Sequence, residues 1–342
     1  MTWKWAGPAV AMVALVAALK WSYPVTMPLV VAAFVVAAAW PLQARFERRL
    51  SRRLSSLATV ACLFLILIAI LGAVYLASLE IAQALLARQE QFRSLYETYE
   101  DFARSRGLPL PGGEGGYERL VAIGQAVFWR TYDALAYLGL ILILISLAVP
   151  FAPVVREKVL AYFGRDDRVE MTDAVATIAG RFRLYLVITT ATSLLTGIAS
   201  AAWAYSVGLE MALTWGILNF LLNFVPVVGN LIGIVPPVLY ALIQFDGLTM
   251  PLVVLAGFAV IQVTISNFIY PALQGRGVSM PAIVIVTGLL FWSWLWGLAG
   301  ALLAVPLTAA FVIAAQHFAS TRWIADLATE DQSEAPAPNS RE

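Results

Sequence analysis

The sequence has little charge. Asp, Glu, Lys and Arg make up 13% of its 342 residues, against about a quarter in a soluble domain. The net charge is +1. No basic cluster with interleaved aromatics lies outside the apolar runs, which argues against a nucleic-acid partner. The one cysteine, Cys62, excludes an internal disulfide and any cysteine-rich metal site. The one histidine, His317, leaves little room for histidine-based catalysis or metal binding. No paired-Asp motif, His-Glu-x-x-His or Gly-x-Ser-x-Gly occurs within a span, so neither an intramembrane enzyme nor a cofactor is expected. Acids are absent between Asp246 and Asp326, and Glu210 is the only one between Asp173 and Asp246.

What is present is apolar. Hydrophobic residues make up 61% of the chain, and the mean hydropathy is +0.81. One globular core could not hide that much apolar surface, so the expected fold is an all-α polytopic membrane protein. Spans of the right length lie near residues 5–22, 24–41, 56–79, 131–152 and 185–206, followed by a long interrupted block over 211–317. The count is about 7–8 transmembrane helices, with broken or re-entrant helices in the C-terminal half. The first apolar stretch superficially fits a signal peptide, but Lys20 and Trp21 stand where small residues are wanted. A retained helical hairpin is the expectation.

The chain divides into N-terminal helices (1–79), an extracytoplasmic helical segment (80–130), a helix and cytoplasmic linker (131–184), a transport core (185–317) and a polar, disordered tail (318–342). Arg45, Arg48, Arg49, Arg52 and Arg53 crowd the loop after the second span, against a lone Glu47. The positive-inside rule makes that loop, and with it the N-terminus, cytoplasmic. Phe92, Leu95, Tyr96, Tyr99 and Phe102 recur at helical spacing among charges, and "GLPLPGGEGG" ends that amphipathic helix. Thr172 or Asp173 is the expected cap of the helix entering span five.

The informative stretch is "NFVPVVGNLIGIVPPVLYALI", Asn223–Ile243. Pro226, Gly229, Gly233, Pro236 and Pro237 should break a helix inside the protein. Irregular backbone at membrane depth is tolerated only where protein buries it or water reaches it. Free backbone groups at such breaks can bind polar solutes. Amides agree with this reading: Asn219, Asn223 and Asn230 surround the break, and Gln262, Ser266, Asn267 and Gln274 punctuate the next run. Buried amides cost free energy unless paired, so they either bond between helices or line a solute path. Arg276 is the lone cation of the block, an interfacial anchor or a group that meets the solute. The scarcity of acids weakens a proton relay; Glu210 and Asp246 are the remaining candidates for coupling. Further on, Gly297 and Gly300 mark close helix packing. Trp292, Trp294 and Trp296 read as an interfacial belt, and Pro306 should kink or end its helix. A weak echo links "NFVPVVG" and "NFIYPALQG".

Two segments carry a resemblance. "GILNFLLNFVPVVGNLIGIVPPVLYAL" resembles the Asn–aliphatic–Pro–Gly region of the autoinducer-2 exporter (AI-2E) family of bacterial inner-membrane proteins. "ISNFIYPALQGRGVSMPAIVIVTGLLFWSWLWGLAGALLAVPLTAAF" resembles that family's C-terminal signature. The matching positions are Asn223, Pro226, Gly229, Gly233, Pro236, Gln262, Pro271, Gly275, Pro281, Gly297, Gly300 and Pro306; Asn230 departs from the pattern. The resemblance implies a multi-pass homo-oligomeric transporter of the bacterial inner membrane. Some members are linked to autoinducer-2 export and others to sodium or lithium/proton antiport. Its partners would be the lipid bilayer and either a small polar solute or a monovalent cation. Three readings stay open: a permease for a small polar solute, a cation/proton antiporter, and a non-transporting membrane scaffold. So does the path of residues 211–244, which cross the membrane or re-enter it, and with it the side of the C-terminus.

Overall fold

The computed structural model describes residues 6–107, 138–151, 154, 157–158, 161, 165–225, 228–274 and 281–317. Every regular element among them is helical. In chain order come α1 (Ala6–Trp21), α2 (Tyr23–Glu47), α3 (Arg52–Ala87), α4 (Gln89–Arg106), α5 (Leu138–Phe151) and α6 (Arg165–Ser206). There follow α7 (Ala212–Leu222), α8 (Val228–Ile232), α9 (Val235–Gln244), α10 (Thr249–Thr264), a π-helical turn (Ile265–Ile269), α11 (Tyr270–Gln274) and α12 (Ala282–His317). Among the described residues, five helical runs are long and apolar enough by residue count to cross a membrane, one of them α12, which is bent, and four shorter apolar helices accompany them. The all-α polytopic fold expected from composition is therefore the fold observed.

Local chemistry sets the boundaries. Between α1 and α2 the chain turns sharply at Ser22 (φ −88°, ψ 15°), with a proline in the first turn of α2, a position that needs no backbone donor. The Thr26 hydroxyl donates to the Leu19 carbonyl across the corner (3.4 Å). The 36 residues of α3 run about 54 Å, well past a hydrocarbon core of about 30 Å. α4 ends where expected, on Gly107 in the left-handed conformation (φ 64°). α6 is already helical at Arg165, ahead of the expected cap at Thr172 or Asp173. Nothing between Arg165 and Ala179 is a glycine or proline, so no breaker stops the helix there. The end of the expected extracytoplasmic segment (108–130), the start of the expected span 131–152 and the tail after 317 lie outside the described residues.

The chain forms two compact units. One comprises Met1–Arg53, Leu147–Ile188 and Leu273–Glu342; the other comprises Leu54–Ser146 and Thr189–Ala272. In the first, α2 packs on α12. Phe34 meets Phe182 edge-to-face at 4.6 Å, and the Lys20 ammonium lies 3.4 Å over the Trp294 ring.

α12 is not one rod. Trp296 (φ −127°, ψ 17°) and Gly297 (φ 61°, ψ −137°) leave helical geometry. On a straight helix Gly288 and Thr308 would lie about 30 Å apart. Here a methyl on Gly288 would overlap the Thr308 hydroxyl, and the Trp292 indole N–H donates to that same hydroxyl (3.1 Å). Residues 282–317 thus form a tight helical hairpin whose two ends lie on the same side. The break falls at Trp296–Gly297 and not at Pro306, which rides inside the return arm without disturbing its backbone. Gly297 has a backbone that L side chains rarely adopt. Gly300 sits so close to the Trp292 carbonyl that a methyl there would overlap it. The three tryptophans have different surroundings. Trp294 is 55% exposed, Trp296 is buried, and Trp292 is tied to Thr308.

The second unit is built around another hairpin. α7 runs to Leu222, and α8 and α9 run back alongside it. Its core joins Trp215 on α7 and Tyr240 on α9, rings 5.7 Å apart, to Val254 and Phe258 on α10 and to Ala204 and Leu209 at the end of α6.

Candidate functional site

The described parts of residues 211–244 fold back on one another. Asn219 and Gly233 are fourteen positions apart, about 21 Å on a straight helix, yet the Asn219 amide donates to the Gly233 carbonyl at 3.1 Å. Glu210 and Gln244 bracket the hairpin and are hydrogen-bonded to each other (2.8 Å). The two ends of the segment therefore lie together. α7 has 11 residues, about 16 Å, roughly half the thickness of a hydrocarbon core of about 30 Å.

Close packing makes the reversal possible. A methyl on Gly229 would overlap the Leu222 carbonyl, and one on Gly233 would lie 2.6 Å from Asn219 Oδ1. Gly197 on α6 and Gly216 on α7 let those helices touch backbone to backbone: a methyl on Gly197 would meet the Gly216 carbonyl at 2.9 Å. Pro236 starts α9 within its first turn, where a missing donor costs nothing.

Asn219 is wholly buried. Its Nδ2 donates to the Trp215 carbonyl (3.0 Å) as well as to that of Gly233, and its Oδ1 accepts from Gln262 Nε2 (3.3 Å). Asn223, at the end of α7, donates to Ser193 Oγ on α6 (3.0 Å). Asn230, on α8, donates to Ser266 Oγ in the π-helical turn (2.7 Å). Two amide oxygens remain buried without a partner: Asn230 Oδ1 and Gln262 Oε1. Gln262 is only 5% exposed. A buried polar atom left unpaired is uncommon and asks for a reason. Here two such ends sit along one seam, between the hairpin and α10. The π-helical turn on that seam is a feature often found at functional positions.

Not every expected residue joins the seam. Asn267 is exposed and donates to the Val263 carbonyl of its own helical run (3.0 Å). Pro226, Gly275 and Arg276 lie outside the described residues, and the side chain of Gln274 is not described. Asp246 is exposed, in the turn between α9 and α10. Glu210 sits at the mouth of the hairpin. Its carboxylate accepts from Arg88 Nη2 (2.6 Å) and from the Tyr240 hydroxyl (2.5 Å). The Trp215 indole N–H donates to its carbonyl (2.8 Å), and the Thr214 hydroxyl donates to Glu80 beside it. This network pins the two ends of the hairpin together.

Tyr240 and Gln244 are not singled out by the sequence, and Arg88 stands out there only as one charge of the amphipathic segment. A stripe of buried hydroxyls on α6 has no counterpart in the sequence reading either: Thr189, Thr192, Ser193, Thr196 and Ser200. The stripe is legible in "VITTATSLLTGIAS", where its spacing marks one helical face. The mouth network is not, because Arg88 and Glu210 lie 122 positions apart.

A family model, "AI-2E family transporter", matches residues 10–320. The chain is similar to the AI-2 transport protein TqsA of Escherichia coli, with 37% identity over 146 residues, 43% of this chain and 42% of the relative. It is similar to a Haemophilus influenzae protein whose name marks it as a candidate transporter: 36% over 137 residues, 40% of this chain and 39% of the relative. YhhT of Escherichia coli, also a candidate transport protein by name, is 40% identical over 124 residues, 36% of this chain and 35% of the relative. The matched stretch thus spans about two fifths of the length of these curated relatives.

Proposed function

The chain belongs to the AI-2E family of transporters, and from that premise we propose that it moves a small uncharged polar solute across the bacterial inner membrane along the amide seam of the α7–α9 hairpin. Autoinducer-2, the cargo in the name of TqsA, or a molecule like it, is the candidate. The chain acts as a non-enzymatic, homo-oligomeric permease. Its N-terminus and Arg-rich loop face the cytoplasm, and it takes no nucleic acid or cofactor.

One observation carries this reading. The seam offers two unpaired amide oxygens and no acid or base between Met211 and Phe245. Neutral amides recognise hydroxyl groups without the desolvation cost of a buried charge. A sodium/proton antiporter would need an acid in the path. The two candidates instead occupy the mouth network (Glu210) and an exposed turn (Asp246).

The test is flux in sealed proteoliposomes, with labelled autoinducer-2 in one arm and a sodium gradient with a pH dye in the other. Gln262→Met keeps the shape of the side chain and removes its free oxygen; autoinducer-2 flux should fall at least about tenfold, the factor equivalent to one lost contact of about 1.4 kcal/mol. Glu210→Gln and Asp246→Asn should stay within about twofold of the parent. Unchanged flux in Gln262→Met would refute the path. Sodium-driven pH change abolished by either carboxylate variant would replace this reading with antiport.

A further inference from the structure

The α12 hairpin ends in a polar group that its own packing leaves unused. We infer that the Trp296 indole N–H, at the reversal of α12, binds an uncharged oxygen acceptor of the transported solute, a carbonyl or hydroxyl oxygen. This rests on the transport reading above and adds a contact at a place that reading does not use.

Three features support it. Trp296 is 6% exposed, and its Nε1 has no hydrogen-bond partner. Its neighbour differs: Trp292, whose ring lies 5.5 Å away, spends its N–H on Thr308. Two indoles in one aromatic pair therefore divide the work, one holding the hairpin closed and the other holding a donor free. Such a buried donor is rarely left unpaired without a function.

The second feature is position. The outgoing arm from Ala282 to Leu295 has fourteen residues, about 21 Å of helix. At the tip of that arm the indole is all but closed off from solvent, so bulk water does not satisfy the N–H. The third is charge. Ile283–Gln316 contains no Asp, Glu, Lys or Arg. The Lys20 ammonium beside the tip is already held over the Trp294 ring at 3.4 Å, so the hairpin's own residues offer an anion no counter-charge, and a cation would be repelled by an N–H donor. A neutral acceptor oxygen is the chemistry that remains. Gly297 adds room, since nothing lies within 4 Å of a methyl placed there.

A lipid ester carbonyl offers the same acceptor chemistry, so the experiment separates the two sources. Protein carrying ¹⁵N-indole label is placed in nanodiscs of ester-linked and, separately, ether-linked phospholipid. The Trp296 resonance is identified by its loss in Trp296→Phe, and that of Trp292 by its loss in Trp292→Phe. Autoinducer-2 and glycerol are titrated in turn. The expected result is a saturable shift of the Trp296 N–H with at least one probe, equal in both lipids, while the Trp292 N–H stays still. Trp296→Phe should lower autoinducer-2 uptake at least about fivefold with an unchanged melting temperature. A Trp296 resonance that differs between ester and ether lipid and ignores both probes would overturn the inference in favour of lipid. So would normal uptake by Trp296→Phe. If the parent protein carries no autoinducer-2 but its Trp296 resonance shifts saturably with glycerol, the cargo assignment fails and the N–H site stands.

Discussion

Replacing Asn219 by leucine removes three hydrogen bonds while keeping the branched outline of the side chain. The bond to the Trp215 carbonyl (3.0 Å) is a local addition to an acceptor already within a helix, and its loss costs little. The other two bonds tie separate segments: Nδ2 to the Gly233 carbonyl (3.1 Å) and Oδ1 from Gln262 (3.3 Å). Interhelical hydrogen bonds in membranes average about 0.6 kcal/mol and reach about 1.7. An interior group left unpaired costs about 1–3 kcal/mol. Gln262 is exposed to the larger penalty, because its Oε1 already lacks a partner and its Nε2 would then lose its bond to Asn219. Summed over both contacts, Asn219→Leu should destabilise the protein by about 2–4 kcal/mol. Reversible unfolding in mixed micelles measures this, with Asn267→Leu as the control, since Asn267 is exposed and bonds only within its own run. The control should stay within about 0.5 kcal/mol. A double-mutant cycle of Asn219→Leu with Gln262→Met should show coupling of about 0.5–1.5 kcal/mol. A cost below about 0.5 kcal/mol for Asn219→Leu, or zero coupling, would mean that the amide seam does not hold the hairpin.

Two further expectations concern the hairpin ends. Gly297→Ala adds a methyl that touches nothing but forces φ 61° on an alanine; a pure backbone cost of about 1–3 kcal/mol should appear as a lower melting temperature, and an unchanged melt would mean that α12 does not reverse there. Arg88→Gln should cost less than about 1 kcal/mol, because the Arg88 and Glu210 side chains are 25% and 51% exposed and water screens the pair; its effect should shrink further in high salt, and a large salt-independent loss would contradict the exposure of the pair.

Much of this arrangement is legible in the sequence because breakers and hydropathy act locally. α1, α2, α3 and α6 follow apolar runs of membrane length, and α4 stops at Gly107 as its glycine-rich continuation implies. The first hairpin is announced by Asn223, Gly229, Gly233 and Pro236, whose chemistry forbids a continuous helix. The second is not. Residues 283–316 read as one uninterrupted apolar run, and their proline, Pro306, points to the wrong place. The reversal depends on Gly300 meeting the Trp292 carbonyl, a contact that exists only once the chain has folded back. Local propensity cannot distinguish a glycine inside a helix from one at a hairpin tip, because the same residue tolerates both. The mouth network was hidden for a related reason. Arg88 sits at the junction of α3 and α4, and nothing near it in the chain indicates that its partner is Glu210.

The α7–α9 hairpin also constrains how the protein is made. A segment whose two ends lie together gives the insertion machinery no net crossing to execute, and α7 alone, at 11 residues, is too short to be retained as a span. Its polar amides would face lipid unless α6 and α10 were already waiting with Ser193, Gln262 and Ser266 to receive them. α10 is synthesised after the hairpin, so the partners that Gln262 and Ser266 supply do not exist when residues 211–244 leave the ribosome. The hairpin's seam can close only after its downstream neighbour has been made.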